Sequence, residues 1–204
     1  TSLTNGSYKL IASPIEKAET MADLAGKDIA VSKNTIIEYV TDKILVENKM
    51  NEEQFNKVVI PQIPTRLEKL AAATLPEPMA SIAMKNGGKL INSSDKLGIN
   101  PGVLMFTTKS VHEKKAELEA MYRAYNKAID YLNNEPKEKY IDLLIEKGGF
   151  PPSVKDSLVL PTYKKANKPT ETDIDSCIAW LKDKNLIKQT YSYQDLVDDT
   201  FIQD

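Results

Sequence analysis

The sequence predicts an α/β fold, and three observations carry that prediction. Short apolar, partly β-branched runs such as DIAV at 28–31 and NKVVI at 56–60 have the character of buried strands. Each is followed by a polar break and then by apolar residues at helical spacing, so a strand–loop–helix plan repeats. From Ser110 onward helical periodicity takes over, so strands dominate the first half and helices the second.

Along the chain, YKLIA at 8–12 reads as a strand that Ser13 and Pro14 end, and 20–25 as a short helical turn closed by Gly26. DIAV is the next strand, after which Ile36, Ile37, Tyr39, Val40 and Ile44 set a helix running to about Glu47. A polar turn, NKMNEEQF, leads to the strand at 56–60; PQIP breaks it, and Thr65 starts the helix TRLEKLA. Residues 71–75 precede PEP. Helical periodicity resumes over 79–86, and Gly87 and Gly88 end it before a brief strand at Leu90 and Ile91. NSSDKLGINPG is a loop, and VLMFT at 103–107 is a strong strand candidate bounded by Gly102. Leu118, Met121, Tyr122, Tyr125, Ala128, Ile129 and Leu132 then form one helical stripe, a pattern that belongs to core packing. Residues 137–147 predict a helix ended by Gly148 and Gly149, and FPPSVKDSLVLP is irregular or short-helical. Residues 170–185 predict an amphipathic helix with Trp180 on its apolar side, and YSYQDLVDDTFI adds a short turn.

Composition narrows the function classes. With 204 residues, 41% hydrophobic and 27% charged, the chain suits one large domain or two small lobes of a globular protein. The net charge is −2, and the widest basic grouping, Lys164, Lys165 and Lys168, lacks interleaved aromatics, so nucleic acid is not an expected partner. The single cysteine, Cys177, excludes an internal disulfide; beside Ile174, Ile178 and Leu181 it reads as a buried structural thiol. The single histidine, His112, lies among charges and reads as an exposed helical residue. One Cys and one His leave no set for zinc chemistry or a Cys/His nucleophile pair, and no Gly-rich phosphate loop is present. No cofactor is expected. No apolar run is long enough to span a bilayer. The start, TSLTNGSYKLIASP, suits an exported protein whose leader has been removed, a fragment, or a cytoplasmic protein.

The break SKNT between strand 28–31 and its helix is the first candidate site. Helix-opening N–H groups lack intrahelical partners. Either Asn34 or Thr35 caps the helix, or the donors and the helix dipole receive an anion or polar ligand.

Several stretches together resemble the substrate-binding proteins of ABC importers, in the branch that handles nitrate, sulfonates, taurine and thiamine precursors. They are LAGKDIAVSKNTIIEYVTDKIL at 24–45, ATLPEPMA at 73–80, NGGKLINSS, PGVLMFTTK, AYNKAIDYLNNEP, and the closing WLKDKNLIK with YSYQDLVDDTFI. Their order and spacing, over nearly the whole chain, make the case. Two departures stand out: the family's additional N-terminal strands and helices have no counterpart, and the junction near 70–73 in RLEKLAAATLPEP is short.

The resemblance implies a two-lobed, periplasmic-binding-protein-like (type II) α/β fold lacking part of the N-terminal lobe. Residues 1–19 and 101–204 would form the first lobe with the C-terminal helices, and 20–100 the second. Crossing strands would lie near 10–13 and 103–107, with the ligand between the lobes. It makes Ser32, Lys33, Asn34 and Thr35 candidate contacts to the ligand. A second helix start, with Ile63, Pro64, Thr65 and Arg66, is brought to the same region, where Thr65 is a contact or a cap. Glu77, beside Pro78, is brought to the cleft, where it would accept from a ligand amine or from backbone. The implied function is extracytoplasmic capture of a small anionic or heteroaromatic solute by a monomer and its delivery to a membrane permease, without catalysis. The native chain would carry an export leader and a lipid-attachment cysteine. The alternatives are a thiamine-precursor pyrimidine synthase of the same fold and the effector domain of a LysR-like regulator.

Overall fold

The computed structural model describes residues 7–100, 102–158 and 160–202, apart from the side chains of Glu52 and Pro64. They divide into two compact units, one drawn from Gly6–Ile99 and Ile145–Leu160, the other from Asn100–Leu144 and Pro161–Asp204.

The first unit is built on a five-stranded sheet. Its strands are β1 (Lys9–Ala12), β2 (Asp28–Val31), β3 (Asn56–Val59), β4 (Ala72–Leu75) and β5 (Lys89–Ser93), in the spatial order β3-β2-β4-β1-β5. β2 runs parallel to β3 and β4, and β1 runs antiparallel to β4 and β5. The three central strands are buried along almost their whole length, whereas β3 and β5 at the edges are mostly half-exposed. That explains the unbroken apolar run of DIAV, since a strand covered on both faces has no polar alternation to keep.

The helices α1 (Ile36–Glu47) and α2 (Arg66–Lys69) make the connections between the parallel strands. β3 lies on one side of β2 and β4 on the other, so two right-handed crossovers put α1 and α2 on opposite faces. On the α1 face, Thr41 Oγ1 meets Thr74 Oγ1 at 2.7 Å. On the other, Ile11, Ala30, Ala73, Leu75 and Ala80 form a core against which Leu67, Met79 and Ala83 pack. This face also carries α3 (Met79–Lys85). Gly88 closes the α3–β5 turn, where a Cβ would stand 2.8 Å from both Ala83 O and Ile11 Cγ2.

The second unit contains α4 (Thr108–Glu113) and α5 (Lys115–Asn134). After α6 (Ile141–Gly148) in the chain come α7 (Glu171–Asp183) and α8 (Tyr193–Leu196), again in this unit. Leu118 and Tyr122 of the expected stripe are buried with Ala166 and Phe201, and Ile129 is buried further along α5. Ala128 of the same stripe is exposed. Asn126 and Asn133 hold the chain that passes along α5, the first accepting from Ala166 N at 2.8 Å and the second bonding both N and O of Tyr163.

Three expectations are corrected. The segment 103–107 forms no strand: only Val103 makes a single bridge, Met105 is 83% exposed, and Thr107 serves as the N-cap of α4, its Oγ1 accepting from Ser110 N. The helix expected from Thr65 is a 3-10 turn, Ile63–Thr65, followed by the single turn of α2. Cys177 is half-buried, because α7 keeps none of its residues fully covered. His112 is exposed on α4, as expected.

Candidate functional site

Strand direction gathers the candidates. β2, β3 and β4 are parallel, so the loops at Ser32, Ile60 and Pro76 leave the same edge of the sheet. The antiparallel β1 brings its own start to that edge, where Lys9 pairs with Leu75 and with Ser93 at the end of β5. The carboxyl edge of parallel strands is where open α/β sheets bind ligands.

At β2, Thr35 caps α1, its Oγ1 accepting from Ile37 N at 3.2 Å and donating to Ser32 O at 2.7 Å. Asn34 does not cap. It sits in the left-handed region at φ 59°, and its N–H donates to Glu38 Oε2 at 2.5 Å. Glu38 is held in turn by Lys57, which also pairs with Asp42 at 2.8 Å. Lys33, Asn34 and Thr35 are exposed and Ser32 half-buried. These caps leave the N–H of Ile36, the first helical residue, without an intrahelical partner.

Arg66 ties the edge together. Its side chain is fully buried, and the guanidinium donates to Ile60 O at 2.9 Å, to Thr74 O at 3.4 Å and to Ser32 Oγ. Ile60 N donates to Val31 O. One side chain thus bonds the ends of all three parallel strands. No carboxylate among the described residues pairs with it, and burial pulls its pKa below the ordinary value. Arginine starts so far above neutrality that it remains cationic. Sequence reasoning placed Arg66 only as part of a helix start. The signal was there, since a cation in a helix's first turn opposes the dipole and calls for another reason.

The remaining candidates are more fully occupied. Thr65 does not cap α2; its hydroxyl donates to Gln62 O at 3.1 Å. The side chain of Pro64 lies outside the described residues. Glu77 pairs with Lys9, both side chains being 10% exposed, and accepts from Ser81 N at 3.1 Å. The Glu77–Pro78 peptide is cis, and Pro78 is half-buried at the start of α3. The structure therefore joins Ser32, Thr35 and Arg66 directly and sets Glu77 just past the end of β4, the strand beside β2. It leaves Lys33 in solvent.

A cavity of about 380 Å³ opens at the opposite edge, among Ser13, Glu16, Lys27, Asp28 and Ala71. It includes none of the candidates, and strand direction argues for the carboxyl edge. Among the described residues no group of His, Cys, Asp and Glu could hold a metal ion, and no helix is long and apolar enough to cross a membrane.

A family model described as NMT1/THI5 like matches residues 2–139. No curated protein matches the chain. Among solved structures, the periplasmic sulfonate-binding protein SsuA of Methylobacillus flagellatus KT is similar at TM-score 0.70 and 16% identity, over 98% of this chain and 65% of that one. The alkanesulfonate-binding protein SsuA of Xanthomonas axonopodis pv. citri, bound to MOPS, gives TM-score 0.73 and 16% identity over 98% and 70%. The periplasmic aliphatic sulphonate binding protein SsuA of Escherichia coli gives 0.74 and 15% over 96% and 68%. The chain spans 65–70% of the length of these structures, and the likeness is one of fold: a periplasmic-binding-protein-like α/β fold.

Proposed function

The chain belongs to the NMT1/THI5-like family, and from that membership we propose that it is the extracytoplasmic solute-binding component of an ABC import system, capturing a small anion and presenting it to a membrane permease. The observation that carries the reading is the buried Arg66, a cation without a carboxylate partner among the described residues, bonded to the Ser32 hydroxyl beside the start of α1. Ser32 accepts from Arg66 and so keeps its own proton to donate outward. A ligand at this edge meets that hydroxyl, the exposed Lys33 and the N-terminus of a twelve-residue helix, all of which favour negative charge. A sulfonate or carboxylate matches such a set of donors. The solved proteins of the same fold are named for sulfonate binding, which supports the class.

No chemical step is part of this reading. A solute would act by binding one conformation better than another, and the permease would respond to that population. The test is a thermal-shift screen of alkanesulfonates, carboxylates and nitrate against uncharged heteroaromatics. At one hundred times its dissociation constant the right anion adds about 2.7 kcal/mol of stability. Stabilisation by an uncharged pyrimidine and by none of the anions would overturn the anion reading in favour of a thiamine-precursor ligand.

A further inference from the structure

The start of α1 already holds an anion of the chain's own. Glu38, in the first turn, folds back past the N-cap, and its Oε2 accepts from Asn34 N at 2.5 Å. Its side chain is 7% exposed. A helix N-terminus is equivalent to about half an elementary positive charge, and Glu38 lies within its reach before any solute arrives. The ion partner, Lys57, is shared: its Nζ stands 3.5 Å from Glu38 Oε1 and 2.8 Å from Asp42 Oδ1. The cap itself comes from Thr35, and an uncharged glutamine could accept from Asn34 N as well as a glutamate does. Neither contact therefore needs a full negative charge at this position.

We propose, resting on the anion reading of the carboxyl edge, that Glu38 is a specificity-determining residue that limits this site to singly charged anions. Around the ends of β2 and β3, the cations Arg66 and Lys57 face the carboxylates Glu38 and Asp42. What this edge adds for a solute is the Ser32 hydroxyl, the N–H of Ile36, the helix dipole and the exposed Lys33. That set suits one negative charge. Repulsion from Glu38 rises in proportion to the charge on the solute, and a buried carboxylate is screened by salt far less than the exposed Lys33. A sulfonate meets that repulsion once, and a sulfate of nearly the same shape meets it twice.

The experiment titrates the full chain with methanesulfonate and with sulfate at fixed ionic strength, reading backbone amide NMR shifts at 32–37. The two probes share a tetrahedral sulfur head and differ in one unit of charge. Wild type is expected to bind methanesulfonate at least tenfold more tightly than sulfate, since like charges placed together are strongly disfavoured. Glu38→Gln, which keeps an acceptor for Asn34 N, should shift that ratio about tenfold toward sulfate. Asp42→Asn, which turns more of Lys57 toward Glu38, should move it the same way by a smaller factor. Equal affinities in wild type, or a ratio unchanged in both variants, overturns the proposal, leaves the anion reading standing and assigns Glu38 to the helix start alone. Absence of shifts with both anions in all three proteins overturns the anion reading and this proposal with it.

Discussion

Arg66 carries a full charge with none of its surface in water, and what it gains in exchange is three acceptors on three different strand ends. Lysine has the charge and lacks the fork, so one ammonium cannot serve three acceptors spread over the planar reach of a guanidinium. Arg66→Lys is therefore expected to lower stability by about 1–3 kcal/mol, the cost of a buried polar group left unsatisfied, as read by chemical denaturation. Affinity for any anion at the edge should fall with it, because Ser32 loses the donor that fixes its hydroxyl. Unchanged stability would mean that Ile60 O and Thr74 O find other partners. Residues of this kind are half-legible in sequence. An arginine in a first helical turn is visible as an anomaly, but its partners at Ser32 and Thr74 depend on strand order. Glu77 is the same case, since its partner Lys9 becomes a neighbour only through the β1–β4 register.

The loop from Ser32 to Thr35 shows two residues with separate jobs that the sequence left open between them. Thr35 has the capping hydroxyl, and Asn34 has the left-handed backbone. Thr35→Ala should cost about 0.5–2 kcal/mol, whereas Asn34→Gly should be close to neutral in stability, glycine being at ease at positive φ. Thermal melts of the two variants give the comparison, and the opposite order would reverse the assignment. Elements built from local signals were the legible ones. DIAV at 28–31 and the helix to Glu47 match the structure because burial on both strand faces and an apolar helical stripe are written in consecutive residues. VLMFT at 103–107 carries an equally strong strand composition and forms none. β-propensity reports fitness for a pleated surface and says nothing of whether a neighbouring strand is there to pair; here Thr107 is committed to capping α4 instead.

Among the described residues, five aspartates are held below the ordinary carboxylate value, and they are unevenly placed. Hydrogen bonds from Thr20 hold down Asp23, and at Asp95 burial pushes upward but the hydroxyls of Ser7 and Ser93 outweigh it. The other three lie close together near the C-terminus: Asp195 under the Ser192 hydroxyl, Asp198 under Thr200, and Asp199 beside Lys168. Each binds its proton more weakly when folded than when unfolded. The stabilisation is therefore complete above the unfolded value, and it is lost as pH falls from about 3.8 through the lower folded values. The strands β1, β2 and β4 are held chiefly by apolar burial, which is indifferent to protons. Acid should consequently loosen residues 192–200, where the Ser192–Asp195 capping box and the Lys168–Asp199 pair lose their carboxylates, before it reaches the sheet. Hydrogen exchange followed downward from pH 5 should show amide protection fading first in that segment. Simultaneous loss in the segment and in β1, β2 and β4 would overturn that order.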